Sequence, residues 1–339
     1  MPLLPFLHRV LDGESLSAPD ARLAMEAILA GEASAAQVAA FLVALRMKNE
    51  TAEELTGFAR AMRQAAEPIP IALEGRPLLD TCGTGGDGAG TFNISTIAAF
   101  VIAGAGVRVA KHGNRSISSK CGSADLMEAL GVNLTLDPER IGRAIGEVGI
   151  GFLFAPALHK AMRFVQPVRV ELKTRTVFNL LGPLTNPAGA TAQLAGAPSE
   201  EAAGLMAQAL AALDLQRGFV VHGADGLDEI TTVGPTHAFE IQDGQVTRRV
   251  MQPEDFGVPR ARPADLKGSG KEENLRVAEE ILAGFKGPRR DIVLVNAAAG
   301  LVAAGCAADF SDGMKRAAES LDSGAARGKV RQLAEFSRR

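Results

Sequence analysis

The sequence predicts an α/β protein: a small all-helical N-terminal domain followed by a large domain built on a mostly parallel central sheet. Three observations carry this expectation. Two S/T-x-x-E/Q capping boxes, Ser34 with Gln37 and Thr51 with Glu54, fall within the first seventy residues. Beyond Pro68 and Pro70, short apolar runs alternate with amphipathic stretches, the pattern of strands covered by helices. The chain has 339 residues, 47% hydrophobic and 22% charged, which suffices for one large α/β unit and a smaller satellite.

In chain order, Ser17 followed by Pro19 opens a first helix, and Val38, Phe41, Leu42 and Leu45 make one apolar face of another. Residues 1–72 are therefore expected to be helical and residues 73–339 to form the α/β domain. The first strand is expected over Pro77–Asp80, and a second over Val107–Ala110. Helices follow from Asp125 to Leu130 and from the Asp137-Pro138 opening. Phe152–Phe154, Gly218–Val221 and Ile292–Val295 continue as strands, and Ser269 to Glu280 reads as an exposed loop leading into a helix.

The formal net charge of −3 argues against a general nucleic-acid binder. The start M-P-L-L-P-F-L-H-R lacks a cationic segment before a long apolar core, so no signal peptide is expected, and no run of about 18 apolar residues predicts a membrane span. Cys82, Cys121 and Cys306 are odd in number and far apart, which points to neither a disulfide framework nor a zinc motif and suits a reducing cytoplasm.

The most informative stretch is D-T-C-G-T-G-G-D-G, residues 80–88, directly after the first strand. Its glycines let backbone N–H groups approach a phosphate. Gly83, Gly85 and Gly88 satisfy G-x-G-x-x-G, yet a dinucleotide fold needs an acid about 20 positions later, and between Gly88 and Ala124 there is none. That acid-free stretch holds Arg108, Lys111, His112, Arg115 and Lys120 among many hydroxyls and amides. A tight turn or a solvated basic face would be the plain reading of either half alone; together they point to a polyphosphate site.

G-T-G-G-D (83–87), N-I-S-T (93–96), K-H-G-N-R-S-I-S-S (111–119) with the following K-C-G-S-A-D, R-T-V-F-N-L-L-G-P-L-T-N-P (175–187) and D-G-L-D-E (225–229) together resemble the anthranilate phosphoribosyltransferase family, along nearly the whole chain. The resemblance implies the two-domain plan shared with nucleoside phosphorylases, with a return segment near 166–190 completing the helical domain and the site in the cleft. It implies that Gly83, Gly86, Asp87, Thr91, Asn93, Ile94, Ser95, Thr96, Lys111, His112, Gly113, Asn114, Arg115, Ser116, Ile117, Ser118, Ser119 and Ser123 surround phosphoribosyl pyrophosphate (PRPP). Gly83, Asn114, Arg169 and His159 are implied to meet anthranilate, and Ser95, Asp228 and Glu229 to serve Mg2+.

A bare D-E pair is usually a polar turn, but hard oxygen ligands beside a polyphosphate suit magnesium. For Arg169 the plain alternative is a salt bridge to Glu171. The chain departs from the family where Lys160 replaces a proline and Phe164 a histidine. The implied reaction is attack of the anthranilate amine on C1 of PRPP with loss of pyrophosphate, in tryptophan biosynthesis, by a cytoplasmic homodimer that contacts no nucleic acid or membrane. No residue is singled out as general acid or base. A pyrimidine nucleoside phosphorylase and a non-catalytic, family-like binding protein are the alternatives.

Overall fold

The computed structural model describes residues 2–115 and 121–339. The chain opens with four helices, α1 (Leu4–Leu11), α2 (Ala18–Leu29), α3 (Ala35–Lys48) and α4 (Ala52–Ala65). The starts of α2, α3 and α4 are those the sequence marks. Ser17 Oγ accepts the Asp20 N–H, and both capping boxes close reciprocally, Ser34 with Gln37 and Thr51 with Glu54. Val38, Phe41, Leu42 and Leu45 are buried as the periodicity requires. Glu54 also reaches beyond its cap: fully buried, it accepts the Leu16 N–H and pairs with Lys48 at 3.0 Å, which locks the α1–α2 connection onto α4.

The rest alternates. Strands β1 (Leu78–Asp80), β2 (Arg108–Gly113), β3 (Ile150–Phe154), β4 (Ala192–Gly196), β5 (Arg217–Gly223), β6 (Thr236–Gln242) and β7 (Gln245–Met251) form one sheet in the order β3-β2-β1-β4-β5-β6-β7. β1 to β5 are parallel; β6 and β7 add as an antiparallel hairpin. Its turn is Asp243-Gly244, both at positive φ, the Asp-Gly signature of a two-residue hairpin. Helices α5 (Ile94–Gly104), α6 (Ser123–Ala129) and α7 (Pro138–Glu147) lie among the first three strands. α8 (Ala155–Leu158), α9 (Gln166–Leu172) and α10 (Phe178–Leu181) connect β3 to β4, and α11 (Glu200–Ala212) joins β4 to β5. α12 (Lys271–Leu282), α13 (Pro288–Ala303), α14 (Phe310–Asp322) and α15 (Ala325–Arg338) close the chain.

Two expectations change. Ile292–Val295 is no strand but part of α13, with Pro288 in its first turn and every residue from Ile292 to Leu301 buried. A four-residue apolar run fits a buried strand or a buried helix equally, and here the helix is buried all round against α5. Ser269–Glu280 is mostly the helix α12 rather than a loop.

Apolar burial is divided by the sheet. One cluster joins α5, α13, α14 and α15 to one face, and another runs from α1–α4 through Val165, Val168 and Phe178 to α11, Val220 and Ile241 on the other. The connector α9 therefore packs with the N-terminal helices, against α3. No helix among the described residues is long and apolar enough to cross a membrane.

Candidate active site

The strand order reverses between β1 and β4, and in an open α/β sheet a crevice for ligands forms at the carboxyl ends of the strands at that point. The glycine loop sits there. Gly85 and Gly86 take φ of 65° and 71°, which turns the chain back over the strand ends. The loop is tied to the neighbouring strand by the Thr84 N–H donating to Gly196 O (2.9 Å), and the Gly85 N–H donates to Asp228 Oδ2 at 2.6 Å. Gly196 has no room for anything larger: a Cβ there would lie 1.6 Å from the Asp228 carbonyl oxygen.

Three carboxylates meet under this loop. Asp228 touches Asp87 side chain to side chain, and burial with the Asp87 charge raises the Asp228 carboxyl above its ordinary range. Burial and the Asp228 charge raise Glu229 likewise. Glu229 Oε1 accepts the Ser95 N–H (3.2 Å) in the first turn of α5, and its carboxylate also contacts the Ser95 hydroxyl. Like charges are thus held together with too few cations, and backbone donors at a helix start point at the same place. The set fits a hard divalent cation such as Mg2+: carboxylate and hydroxyl oxygens only, with an excess of negative charge to neutralise.

The cations behave differently from the sequence inventory. Arg108 lies at the far end of β2, donating to Ala72 O and close to Glu74, so it is no part of this crevice. His112 is neutral: burial and the adjoining His159 push it down to about 3. Its ring packs 5.1 Å from that of His159, which burial lowers to about 4. Lys111 is 2% exposed, with Nζ on Thr81 O (3.1 Å) and its charge close to Asp80 and Glu229; it lies beneath the loop, not on its surface. Arg115 pairs with Asp125 at 2.8 Å and Glu128 at 3.0 Å, acids that α6 supplies from outside the acid-free stretch. Ser116, Ile117, Ser118, Ser119 and Lys120 lie outside the described residues.

Of the other residues expected around PRPP, Thr91 bridges to Lys267, and Asn93 caps α5 while its Nδ2 donates to Cys121 O. Ile94 and Thr96 are buried in the core side of α5, so Ile94 can offer a ligand only backbone. Gly113 and Asn114 close the end of β2, where Ser123 Oγ accepts the Asn114 N–H (3.2 Å).

On the acceptor side, Arg169 stands on α9. It makes no ion pair among the described residues, to Glu171 or to any other acid; its guanidinium instead lies 5.6 Å from the Phe178 ring centre. Burial without a counter-charge lowers its pKa. His159 lines a small cavity with Leu29, Met62 and Met162, and its Nε2 has no partner. The two departures face elsewhere: Lys160 pairs with Glu67 at 2.9 Å, and Phe164 packs over Gly31.

Several residues of the site escaped the sequence reading. Arg175 donates to Gly86 O (2.9 Å) and so joins the α9–α10 connection to the glycine loop. Lys267 donates to Ala89 O (2.7 Å), and Asn274 Oδ1 accepts the Asn93 N–H (3.1 Å). Asn186 donates to Asp80 Oδ2 and Ala110 O, both at 2.8 Å, which ties β1 to β2 beneath the loop. Arg175 and Asn186 lie in the R-T-V-F…T-N-P motif, but only folding brings them to residues about a hundred positions away.

A helical bundle joined to an α/β domain, with an acid-lined glycine loop at the strand-order reversal, defines a glycosyl transferase. Residues 4–66 match the profile of the glycosyl transferase family helical bundle domain, and residues 75–327 that of its a/b domain. The chain is 66% identical to an anthranilate phosphoribosyltransferase of Solibacter usitatus, across 99% of both chains. It is 52% identical to that of Desulforudis audaxviator, across 98% of this chain and 96% of the other. The anthranilate phosphoribosyltransferase of Thermus thermophilus superposes over all of both chains with a TM-score of 0.93 at 48% identity. The Saccharomyces cerevisiae enzyme in complex with PRPP and Mg superposes over 99% of this chain and 98% of that one, with a TM-score of 0.90 at 29% identity. The chain belongs to the anthranilate phosphoribosyltransferase family.

Proposed function

We propose that this protein transfers the phosphoribosyl group of PRPP to the amine of anthranilate, releasing pyrophosphate, as a step of tryptophan biosynthesis. The observation that carries the proposal is the pair Asp228 and Glu229, seated on the N–H groups of the glycine loop and of the first turn of α5. Buried carboxylates gathered at a glycine loop and a helix start suit a hard divalent cation, and such a cation suits a polyphosphate.

Asp228, Glu229 and Ser95 would hold Mg2+, with Asp87 close enough to join its shell. Bound there, the ion neutralises charge on the departing pyrophosphate. The protein's own groups do the remaining work. Gly83, Gly86 and Asp87, with Thr91, Asn93 to Thr96, Gly113, Asn114 and Ser123, line the donor's place, Ile94 by its backbone alone. Lys111 supports the loop from below, and His112 positions it through β2. Arg115, with the stretch 116–119 that follows it, completes the phosphate contacts once it leaves Asp125 and Glu128. On the other side, Arg169 faces the anthranilate carboxylate, with Gly83, Asn114 and His159 beside the ring. The N–C1 bond forms as the C1–O bond to pyrophosphate breaks, and the amine loses a proton. An aromatic amine is a weak, neutral nucleophile, so most of the rate must come from positioning it and from stabilising the leaving group's charge.

The protein acts as a cytoplasmic homodimer in this reading. Val43 and Met47 stand one turn apart on the same face of α3, 37% and 80% exposed, an apolar ridge suited to a second copy. The deciding experiment mixes the protein with PRPP, Mg2+ and anthranilate and follows anthranilate fluorescence. Loss of signal that needs all three components is expected; a pyrimidine nucleoside phosphorylase would instead release free base from nucleoside and phosphate, and a binding protein would turn over nothing.

A further inference from the structure

We propose that Asp80, Cys82 and His112 form a second metal site, for a thiophilic divalent cation of the zinc class, whose occupation inhibits the enzyme. The ligand atoms that these three residues offer all lie within 4.8 Å of one another. They come from the end of β1, the loop two residues on, and the end of β2, so the parallel pairing of β1 with β2 brings them together.

The histidine is already arranged as a ligand. His112 is 3% exposed, and its Nδ1 lies 3.2 Å from Gly182 O, which places the proton on Nδ1. Nε2 then carries the lone pair, and it is buried with no hydrogen-bond partner among the described residues. A ring nitrogen donating to a backbone carbonyl leaves the other with its lone pair free for a metal, the division of roles that orients metal-bound imidazoles, and one ring nitrogen of His112 is among the clustered ligand atoms. The carboxylate is held as firmly, Oδ1 by the His112 N–H at 3.1 Å and Oδ2 by Asn186 at 2.8 Å. The Cys82 thiol has only a weak contact of its own, 3.5 Å to Gly83 O.

Around a tetrahedral ion with bonds of about 2.0–2.3 Å, neighbouring ligand atoms stand roughly 3.4–3.6 Å apart, so the trio needs a contraction on the order of 1 Å. Sulfur and imidazole select a softer ion than the all-oxygen set of Asp87, Asp228 and Glu229, which separates the two sites chemically. On binding, the thiol loses its proton to solvent and a metal–sulfur bond forms; no oxidation is involved. The Lys111 charge close to Asp80 weakens the site, as befits a reversible inhibitory ion rather than a resident one. Inhibition follows because Cys82 adjoins Gly83, where a Cβ would already lie 3.0 Å from Asp228 Oδ2 and 3.2 Å from the Gly196 N, so the loop has little room to move. Pulling Cys82 inward distorts the loop at that contact.

The test adds Cd2+ to the full-length protein in excess Mg2+ and records the ultraviolet charge-transfer band of a cadmium–thiolate bond. One equivalent of band is expected for the wild type, none for Cys82→Ala, a reduced affinity for His112→Asn, and an undiminished band for Cys121→Ala and Cys306→Ala. In parallel, Zn2+ in excess Mg2+ should lower turnover more than tenfold in the wild type and less than twofold in Cys82→Ala. The proposal fails if no band forms, if the band survives in Cys82→Ala, or if Zn2+ inhibits both proteins equally, which would place the inhibition at the oxygen site. The spectroscopic arm needs no turnover, so it stands apart from the proposed reaction.

Discussion

Asp228 and Glu229 are ordinary residues in an unusual place: two half-buried carboxylates beside a third, Asp87, with backbone N–H groups as their main partners. Their repulsion predicts a trade between stability and function. Asp228→Asn with Glu229→Gln should raise the melting temperature of the magnesium-free protein by on the order of 2 °C or more. The same pair should lose the Mg2+-induced thermal shift and drop turnover by about 100-fold or more. An unchanged magnesium titration of activity would remove these acids from the site. Arg169 offers the complementary case, a half-buried guanidinium with no acid paired to it among the described residues. Arg169→Ala removes a charge-assisted bond worth about 1.5–3 kcal/mol, so the anthranilate KM should rise about 10- to 150-fold with PRPP saturating. Lys160 is committed to Glu67, so it should not rescue the variant. Equal KM and kcat for both proteins would leave Arg169 a merely structural residue.

At the scale of elements, the glycine loop is held from three sides: by β4, by the acid pair, and by Arg175 on the connector from the helical bundle. The Arg175 contact ties the α9–α10 connection to the glycine loop. Arg175→Ala should raise the PRPP KM by about tenfold, or 1.4 kcal/mol, and leave the anthranilate KM within about twofold. Steady-state titration of each substrate decides it, and equal effects on both would mean the clamp is not specific to the donor loop. Helix starts were legible because each capping side chain and its target lie three residues apart, as at Ser34 and Thr51. The site motifs were legible for the same reason, each being contiguous. The helix over Pro288–Ala303 was not, because a helix buried on all sides loses the polar face that reveals its period. The fate of the basic residues was hidden too. Arg108 and Arg115 find their acids, Glu74, Asp125 and Glu128, through the fold rather than the local pattern.

For the whole molecule, the adjoining, tilted rings of His112 and His159 set an acid limit on stability. His159 is held near 4 by burial alone, against 6.5 when unfolded. Its neutral form contributes stability that is present above pH 6.5 and lost as pH falls through about 4, a difference of roughly 3 kcal/mol at most. Asp80 runs the other way: raised to about 6 by burial, it contributes stability present below its ordinary 3.8 and lost as pH rises through 6. Comparing wild type with His159→Asn cancels the Asp80 part. Chemical denaturation between pH 7 and pH 4 should show the wild type losing more stability than the variant; parallel curves would refute the burial argument. A second whole-molecule prediction concerns assembly. Met47→Glu should shift the protein toward monomer in light scattering, because it places a charge on the exposed ridge of α3, and an unchanged dimer would put the interface elsewhere.

The amino-acid sequence by itself determined the class of fold, the helix starts at Ser17, Ser34, Thr51 and Asp137, and the glycine and D-E motifs, since all of these rest on interactions between residues close in the chain. Only the tertiary structure decided how those motifs act. It set Asp228 against Gly85 across 143 positions and Arg175 against Gly86 across 89. It also put Lys111 beneath the loop and, among the described residues, left Arg169 without a counter-ion. Charge and burial are properties of what surrounds a group, and for these residues the surroundings come from parts of the chain that meet only where the order of the strands reverses.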